Sequence, residues 1–421
     1  MSHEDEMTKD EQYKYLRKMR ERYRQADRRE KAMLLDEMVA VTGLRRQSLI
    51  RLMSGPLVRK KRCRERGRTY GADVDDALRV IVESCDDICA ERLQPNLVWM
   101  AEQLARHDEL VVTDNLLDQL ERISVSTVQR RLTKLRQDEP QRRRRKGAGK
   151  TRALLRQVPM GRIPWDIGVP GHFEVDLVHH CGSSASGTYI YSLQMVDIAT
   201  GWSERAAVLG RSYLVMQDAF QYLLDRIPFP VLEVHPDNDS AFFNDHMFRF
   251  WGDRLRGARI SRSRPYHYND NRFVEQSNSS LMRAYFGYER LDTVAQTWAM
   301  NYLYDRMWLY HNAFQPVMRL KEKIVVPGGD GGQARIRRKY DDARTPLKRV
   351  CAAAVLAPQG REQLEALRDA TNPRQLRQDI YDHLDYIFSL PGAVPEQRES
   401  VYLTLRDPHL RALGESQHAA P

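Results

Sequence analysis

Long apolar runs are the first thing this sequence lacks. The longest nearly unbroken one, "VCAAAVLAP" (Val350 to Pro358), is about half the roughly 20 residues that a bilayer crossing needs. At 29% charged residues the chain does not read as a membrane protein. The opening "MSHEDEMTKDEQ" has no apolar segment of the secretory type, so a cytoplasmic protein is expected. Cysteine is scarce and unpatterned: Cys63, Cys85, Cys89, Cys181 and Cys351 are five in all. An odd count in a long chain argues against a disulfide framework. Cys85 and Cys89 stand four apart in a helical pattern, with no further ligands spaced to complete a metal site. They read as a buried thiol pair. Acidic residues are in deficit, and the formal net charge is +10. That excess favours polyanionic partners, nucleic acid first.

What is present suggests several domains, since 421 residues exceed the usual single core and 42% are hydrophobic. The first 31 or so residues are charged throughout, and "YLRKMRERYRQADRREK" reads as a solvated helix. Leu34, Leu35, Met38 and Val39 then make a helical apolar stripe, which Thr42 and Gly43 interrupt. Leu49, Ile50, Leu52 and Met53 make a second stripe, whose polar face carries Arg45, Arg46, Gln47 and Arg51. Two short helices, a glycine turn and a basic second helix describe a helix-turn-helix; the plainer alternative is a helical hairpin. A second such unit follows. "PNLVWMAEQLARH" is its first helix, and "ISVSTVQRRLTKLRQ" a later one, capped by Ser124 or Ser126. Val128, Leu132 and Leu135 form the buried side of the later helix. Gln129, Arg130, Arg131 and Lys134 are left for the outside.

Arg142 to Arg152, "RRRRKGAGKTR", holds seven basic residues, two glycines and no acid. It reads as a flexible arm whose Arg142, Arg143, Arg144 and Arg145 lie along phosphates, or else as a solvated linker. After it come strand-like runs: "HFEVDLVHH", "TYIYSLQMVDI", "SERAAVL", "FPVLEVHPDND" and "ARISRSRP". Helical patterns sit among and after them. Three strands in succession, then alternation with helices, predict a mixed sheet covered on both faces. "PGGDGG" (Pro327 to Gly332) reads as a linker to a basic, helical tail. The expected organisation is therefore 1–60 and 61–141 as DNA-binding helical units, 142–164 as basic linker, 165–326 as an α/β core and 327–421 as linker and helical C-terminal region.

Within that core, Asp176 interrupts the apolar strand "FEVDLV". Asp237 ends the strand "VLEVHPD", and Glu275 sits at the edge of the apolar stripe of a helix capped by Asn269 or Asp270. Such positions converge near strand ends, where ligands bind in α/β sheets. Clustered carboxylates repel unless cations hold them together. Mg²⁺ prefers oxygen ligands, and two ions about 3.5–4 Å apart suit in-line displacement at phosphorus. Glu174 and Asp197 also lie in strands and read as structural. His179, His180 and Cys181 are consecutive, so a strand would point them to opposite faces and away from a common ion.

Sixty residues separate Asp176 from Asp237, and thirty-seven separate Asp237 from Glu275. With "HPDN..AF", "NDNRFVEQSN", "DLVHHCG", "VDIATGW" and "YHNAFQPVMRL", this spacing resembles the DDE transposases of bacterial insertion sequences, within the retroviral integrase superfamily. The likeness is best from about 165 to 320. It implies a ribonuclease H-like fold, with Asp176, Asp237 and Glu275 as catalytic residues and metal ligands. It further implies two Mg²⁺ ions (Mn²⁺ as a substitute), double-stranded DNA as partner and a homo-oligomer on the DNA. Asp239 stands where that family usually has glycine. Arg272 and Arg283 are the basic residues nearest Glu275 and the candidate contacts to the DNA end. Two other readings use the same features: a regulator whose core has lost activity, and a metal-dependent nuclease without strand transfer.

Overall fold

The computed structural model describes residues 7–57, 70–138, 168–236, 241–242, 245–255, 257–261, 282–326, 335–394, 396–397 and 399–404. The chain divides into two compact units, Met1–Thr69 and Tyr70–Pro421. In the first, α1 (Lys9–Gln25) and α2 (Arg28–Thr42) each begin with a capping box, Thr8 with Glu11 and Asp27 with Glu30. Gly43, at φ 66°, ends α2 in the left-handed conformation that glycine adopts at least cost. Then α3 (Arg46–Ser54) follows. The expected stripes meet here: Leu34, Leu35, Met38, Leu49 and Met53 are buried together. The first helix is not simply solvated, because Leu16 and Met19 close the same core.

The second unit opens with helices α4 (Ala72–Ser84), α5 (Ala90–Leu93), α6 (Leu97–Arg106), α7 (Asp114–Arg122) and α8 (Val125–Asp138). Ser124 Oγ accepts from the Thr127 amide at 3.3 Å and so caps α8, as its sequence suggested. Val128 and Leu132 are buried. The expectation for the cysteines fails. Asp86 and Asp87 take φ of 55° and 57° and break the helix between them. Cys85 is buried and Cys89 exposed, so they form no buried pair.

Strands β1 (His172–His179), β2 (Ile190–Asp197), β3 (Ser203–Leu209), β4 (Glu233–Pro236) and β5 (Arg259–Ile260) form one mixed sheet in the order β3-β2-β1-β4-β5. The first three are antiparallel, while β4 and β5 run parallel to β1. Every residue of β2 and β3 is buried, as a sheet covered on both faces requires. Helix α9 (Tyr213–Arg226) packs on β3, and α10 (Asp245–Arg254) on α9. Helices α11 (Arg283–Phe286) and α12 (Val294–Leu309) follow, the latter started by a Thr293–Gln296 capping box. A π-helical turn, Tyr310–Phe314, extends α12. Burial is not purely apolar. The Glu204 carboxylate accepts from Trp202 Nε1 at 2.8 Å, Trp308 Nε1 at 2.7 Å and Arg226 Nε at 3.2 Å.

Two strands flank the segment expected as a linker. Strands β6 (Leu320–Val326) and β7 (Arg335–Tyr340) pair antiparallel, Val326 with Arg335, across the segment holding "PGGDGG". That segment itself lies outside the described residues. The tail is helical beyond β7: α13 (Pro346–Ala352), α14 (Pro358–Asp369) and α15 (Pro373–Ser389). Leu376, Ile380, Leu384 and Ile387 of α15 belong to the same core as the sheet and α4. Among the described residues, no helix is long and apolar enough to cross a membrane.

Candidate active site

Asp176 sits in the middle of β1, between buried Val175 and Leu177, and is itself half-buried. Its Oδ1 accepts from the Leu177 amide at 2.8 Å. Register places Asp176 opposite Gln194 of β2, and Gln194 opposite Arg205 of β3. Paired residues share a face, so these three form a polar row across the sheet. On the other side, β1 pairs with β4 so that Val175 lies opposite Pro236. Asp237 is the next residue in sequence. Asp237, Asp239, Arg272 and Glu275 lie outside the described residues, as do Arg142, Arg143, Arg144 and Arg145. Among the described residues, no three His, Cys, Asp or Glu side chains are grouped to hold a metal ion.

Sequence reasoning passed over Arg205. It is 3% exposed, and its Nη2 donates to Ser203 Oγ at 3.0 Å. Its Nε and Nη1 are buried without hydrogen-bond partners among the described residues. Burial lowers its pKa to about 10. The signal was available: "SERAAVL" places adjacent charges in a strand, and one of them must face each side.

The other candidate residues resolve by what holds them. Asp197 accepts from the Gly171, His172 and Thr200 amides and, at 2.6 Å, from the Thr200 hydroxyl. Four donors give it a structural role, even though burial raises its pKa. Glu174 is 1% exposed. His179 and His180 face different surroundings. The first packs edge-on against Tyr191, and the second bonds Ser192 Oγ through Nε2 at 2.8 Å. Cys181 instead bridges to Arg290 through the backbone. Arg283 is spent on the protein: Nη2 donates to the His179 carbonyl and Nη1 to the Gly287 carbonyl, both at 3.1 Å.

Of the expected DNA-facing residues, Arg45, Gln47 and Arg51 are exposed on α3 or its cap. Arg46 is exposed too, but pairs with Asp36 of α2. Gln129 and Arg130 are exposed on α8. Arg131 is tied to Asp75 and donates to the Tyr70 carbonyl at 2.8 Å.

No family model matches the chain. It is 36% identical over 330 residues to the uncharacterized protein y4rM of Sinorhizobium fredii (strain NBRC 101917 / NGR234), a match covering 78% of this chain and 92% of that protein. Among solved structures, it matches the HTLV-2 integrase catalytic core in complex with magnesium at TM-score 0.25 and 14% identity, over 35% of this chain and 91% of the other. The BIV integrase catalytic core gives TM-score 0.23 and 18% identity, over 28% and 70%. Superpositions that low assign neither fold nor activity.

Proposed function

The chain belongs to one family with the Sinorhizobium fredii protein y4rM; we propose that it is a DDE-type transposase with a ribonuclease H-like core. It cuts DNA at the ends of a mobile element and joins them to a target. The observation that carries this reading is the parallel pairing of β1 with β4, Val175 against Pro236. It sets Asp176 on the strand beside the one that Asp237 follows, within the mixed sheet such a core requires. Asp176 is a partly exposed carboxylate on a strand where its neighbours Val175 and Leu177 are buried. It suits a hard cation with oxygen preference.

Asp176, Asp237 and Glu275 are the residues that would hold Mg²⁺, whose chemistry there is to neutralise charge on the attacking and leaving oxygens. The protein's own part is to orient two exchanges at phosphorus. Water replaces a 3′ oxygen in the first, and the freed 3′ hydroxyl attacks a target phosphodiester in the second. Each forms one P–O bond and breaks one, so a single site serves both without a covalent protein intermediate. Arg45, Gln47 and Arg51, with Gln129 and Arg130, are the exposed residues for reading element ends. The Arg142–Arg145 run supplies phosphate contacts. Arg283 acts through the backbone it fixes. A homo-oligomer on DNA lets two ends be handled together.

The test uses labelled element ends, a plasmid target and Mg²⁺. Asp176→Asn, Asp237→Asn and Glu275→Gln should each abolish cleavage and joining while end binding survives a gel shift. Cutting near the wild-type rate by any of these variants removes that residue from the triad. Cleavage without joining by the wild type would make the protein a nuclease. Binding with no cleavage at all would make it a regulator.

A further inference from the structure

The β6–β7 ribbon is basic. Lys321, Arg337, Arg338 and Lys339 are exposed, and none forms an ion pair with a described residue. The arginines at its root behave differently. Arg349 holds Asp341 through two bonds, at 2.6 and 3.0 Å, and donates to the Val317 carbonyl at 2.9 Å. Arg319 donates its amide to Asp341 at 2.7 Å and its Nη2 to the Asp197 carbonyl at 3.0 Å. The ribbon thus has a locked base and a blade on which Lys321, Arg337, Arg338 and Lys339 outnumber the one described acid, Glu322.

Register shows how that charge is arranged. Glu322 pairs with Lys339, Lys323 with Arg338 and Ile324 with Arg337. Successive strand residues face opposite sides, so Arg337 and Lys339 lie on one face and Arg338 on the other. A ribbon lying flat on a polyanion needs cations on one face only. Cations on both faces suit a ribbon standing between two rows of phosphates. The major groove of duplex DNA is such a space, about 12 Å wide, and admits a two-stranded ribbon.

We propose that the β6–β7 ribbon inserts into the major groove of duplex DNA, with Arg337 and Lys339 facing one phosphate backbone and Arg338 the other. Its base bonds to Asp197, whose register partner is Phe173, three residues before Asp176. At about 3.3 Å per residue, the anchor is about 10 Å along the strand from that carboxylate. DNA gripped by the ribbon therefore runs close to the candidate site. The inference rests on the DNA-joining reading only for the kind of partner and its use.

The test is a salt titration of the full chain on a fluorescent random-sequence duplex, followed by anisotropy. All proteins carry Asp176→Asn, so that cutting cannot interfere. Changing Arg337, Arg338 and Lys339 together to Gln should make the log–log salt slope shallower by about 2.7, at about 0.9 per phosphate contact. Arg338→Gln alone should remove about 0.9, and the Arg337→Gln, Lys339→Gln pair about 1.8. Arg337→Lys with Arg338→Lys should keep the slope. Dimethyl sulfate protection of guanine N7, a major-groove atom, should appear with the parent and vanish with the triple variant. An unchanged slope in the triple variant overturns the proposal. Silence of either face alone overturns groove insertion. So does an equal loss from Arg122→Gln, Arg361→Gln and Arg368→Gln, which remove the same charge elsewhere. If the active wild type cuts no DNA while the ribbon slopes change as stated, the transposase reading fails and the ribbon stands.

Discussion

His180 should make the second unit lose stability as pH falls below neutrality, by an amount the structure allows to be worked out. The residue follows β1 and is 1% exposed. Its Nε2 shares a hydrogen bond with Ser192 Oγ, which in turn meets the Tyr304 hydroxyl. The Phe286 ring lies edge-on at 5.2 Å, and Nδ1 is buried without a hydrogen-bond partner. Burial, reinforced by the charges of Arg283 and His179, pushes the pKa from 6.5 to about 3. Above pH 6.5 both folded and unfolded chains hold a neutral ring, and the group has no effect. Below it the unfolded chain takes a proton that the folded one refuses. Stability then falls by about 1.4 kcal/mol per pH unit, until the folded pKa is reached. Between pH 7 and pH 5 the loss is about 2 kcal/mol. His180→Gln keeps a polar partner for Ser192 and cannot titrate. Urea unfolding of both proteins at pH 7, 6 and 5 isolates the term, because every other histidine cancels in the difference. All six tryptophans lie beyond residue 70, so their fluorescence reports the second unit alone. The wild-type advantage, whatever its size at pH 7, should shrink by about 2 kcal/mol at pH 5. Parallel pH profiles would mean that the folded protein protonates His180, and would refute the burial argument.

Asp86 is a second place where one atom pair carries much of the structure. It accepts from Arg377 Nε at 3.3 Å and from the Tyr381 and Tyr285 hydroxyls at 2.6 and 3.2 Å. Asp86→Asn tolerates the left-handed backbone but leaves Arg377 without its counter-charge, so urea unfolding should show a loss of about 3–5 kcal/mol; a change under 1 kcal/mol would mean that the tyrosines suffice. In the first unit, Arg45→Ala or Arg51→Ala should weaken binding to an element end by about 1–3 kcal/mol if the side chain reads a base. Arg46→Ala, whose partner is Asp36, should weaken it less, and footprints ranking Arg46 first would reverse this reading of α3.

The parts legible in the sequence were those with local periodicity. "FEVDLV", "YSLQMVD" and "SERAAV" fall within β1, β2 and β3, and the stripes before and after Gly43 form the helices expected of them. Asp176 stood out because a carboxylate there breaks an apolar pattern. The ribbon did not stand out. "RIRRKY" has little apolar alternation, since both its faces meet solvent, and a Pro/Gly-rich stretch reads alike at a hairpin tip and in a linker. Only a partner strand distinguishes the two. The break between Cys85 and Cys89 was equally hidden. No glycine or proline marks it, and one partner of the turned Asp86 is Arg377, 291 residues away. Local propensity cannot register a contact made at that range.

The same long-range contacts bear on how the chain does its work. Asp86 joins the end of α4 to Tyr285, just past the stretch holding Glu275, and to α15 near the other end of the unit. Arg374 adds bonds from α15 to Glu83 and Glu109, each at 3.0 Å. Four apolar side chains of α15 lie in the shared core. At about 1.5–3 kcal/mol each, they contribute roughly 6–12 kcal/mol, as much as the whole net stability of a typical domain. Helices α4 to α8, the sheet and α15 thus contribute to one hydrophobic core. The expected boundaries at 141 and 326 both fall inside the unit Tyr70–Pro421. Gln129 and Arg130 lie on α8, whose buried Val128 and Leu132 share a core with Phe173 and Val175 of the strand that carries Asp176. On the proposed reading, DNA at Gln129 and Arg130 and DNA at the ribbon would both be held by the body that carries Asp176. If the transposase reading holds, that shared core would help to set which phosphodiester meets Asp176.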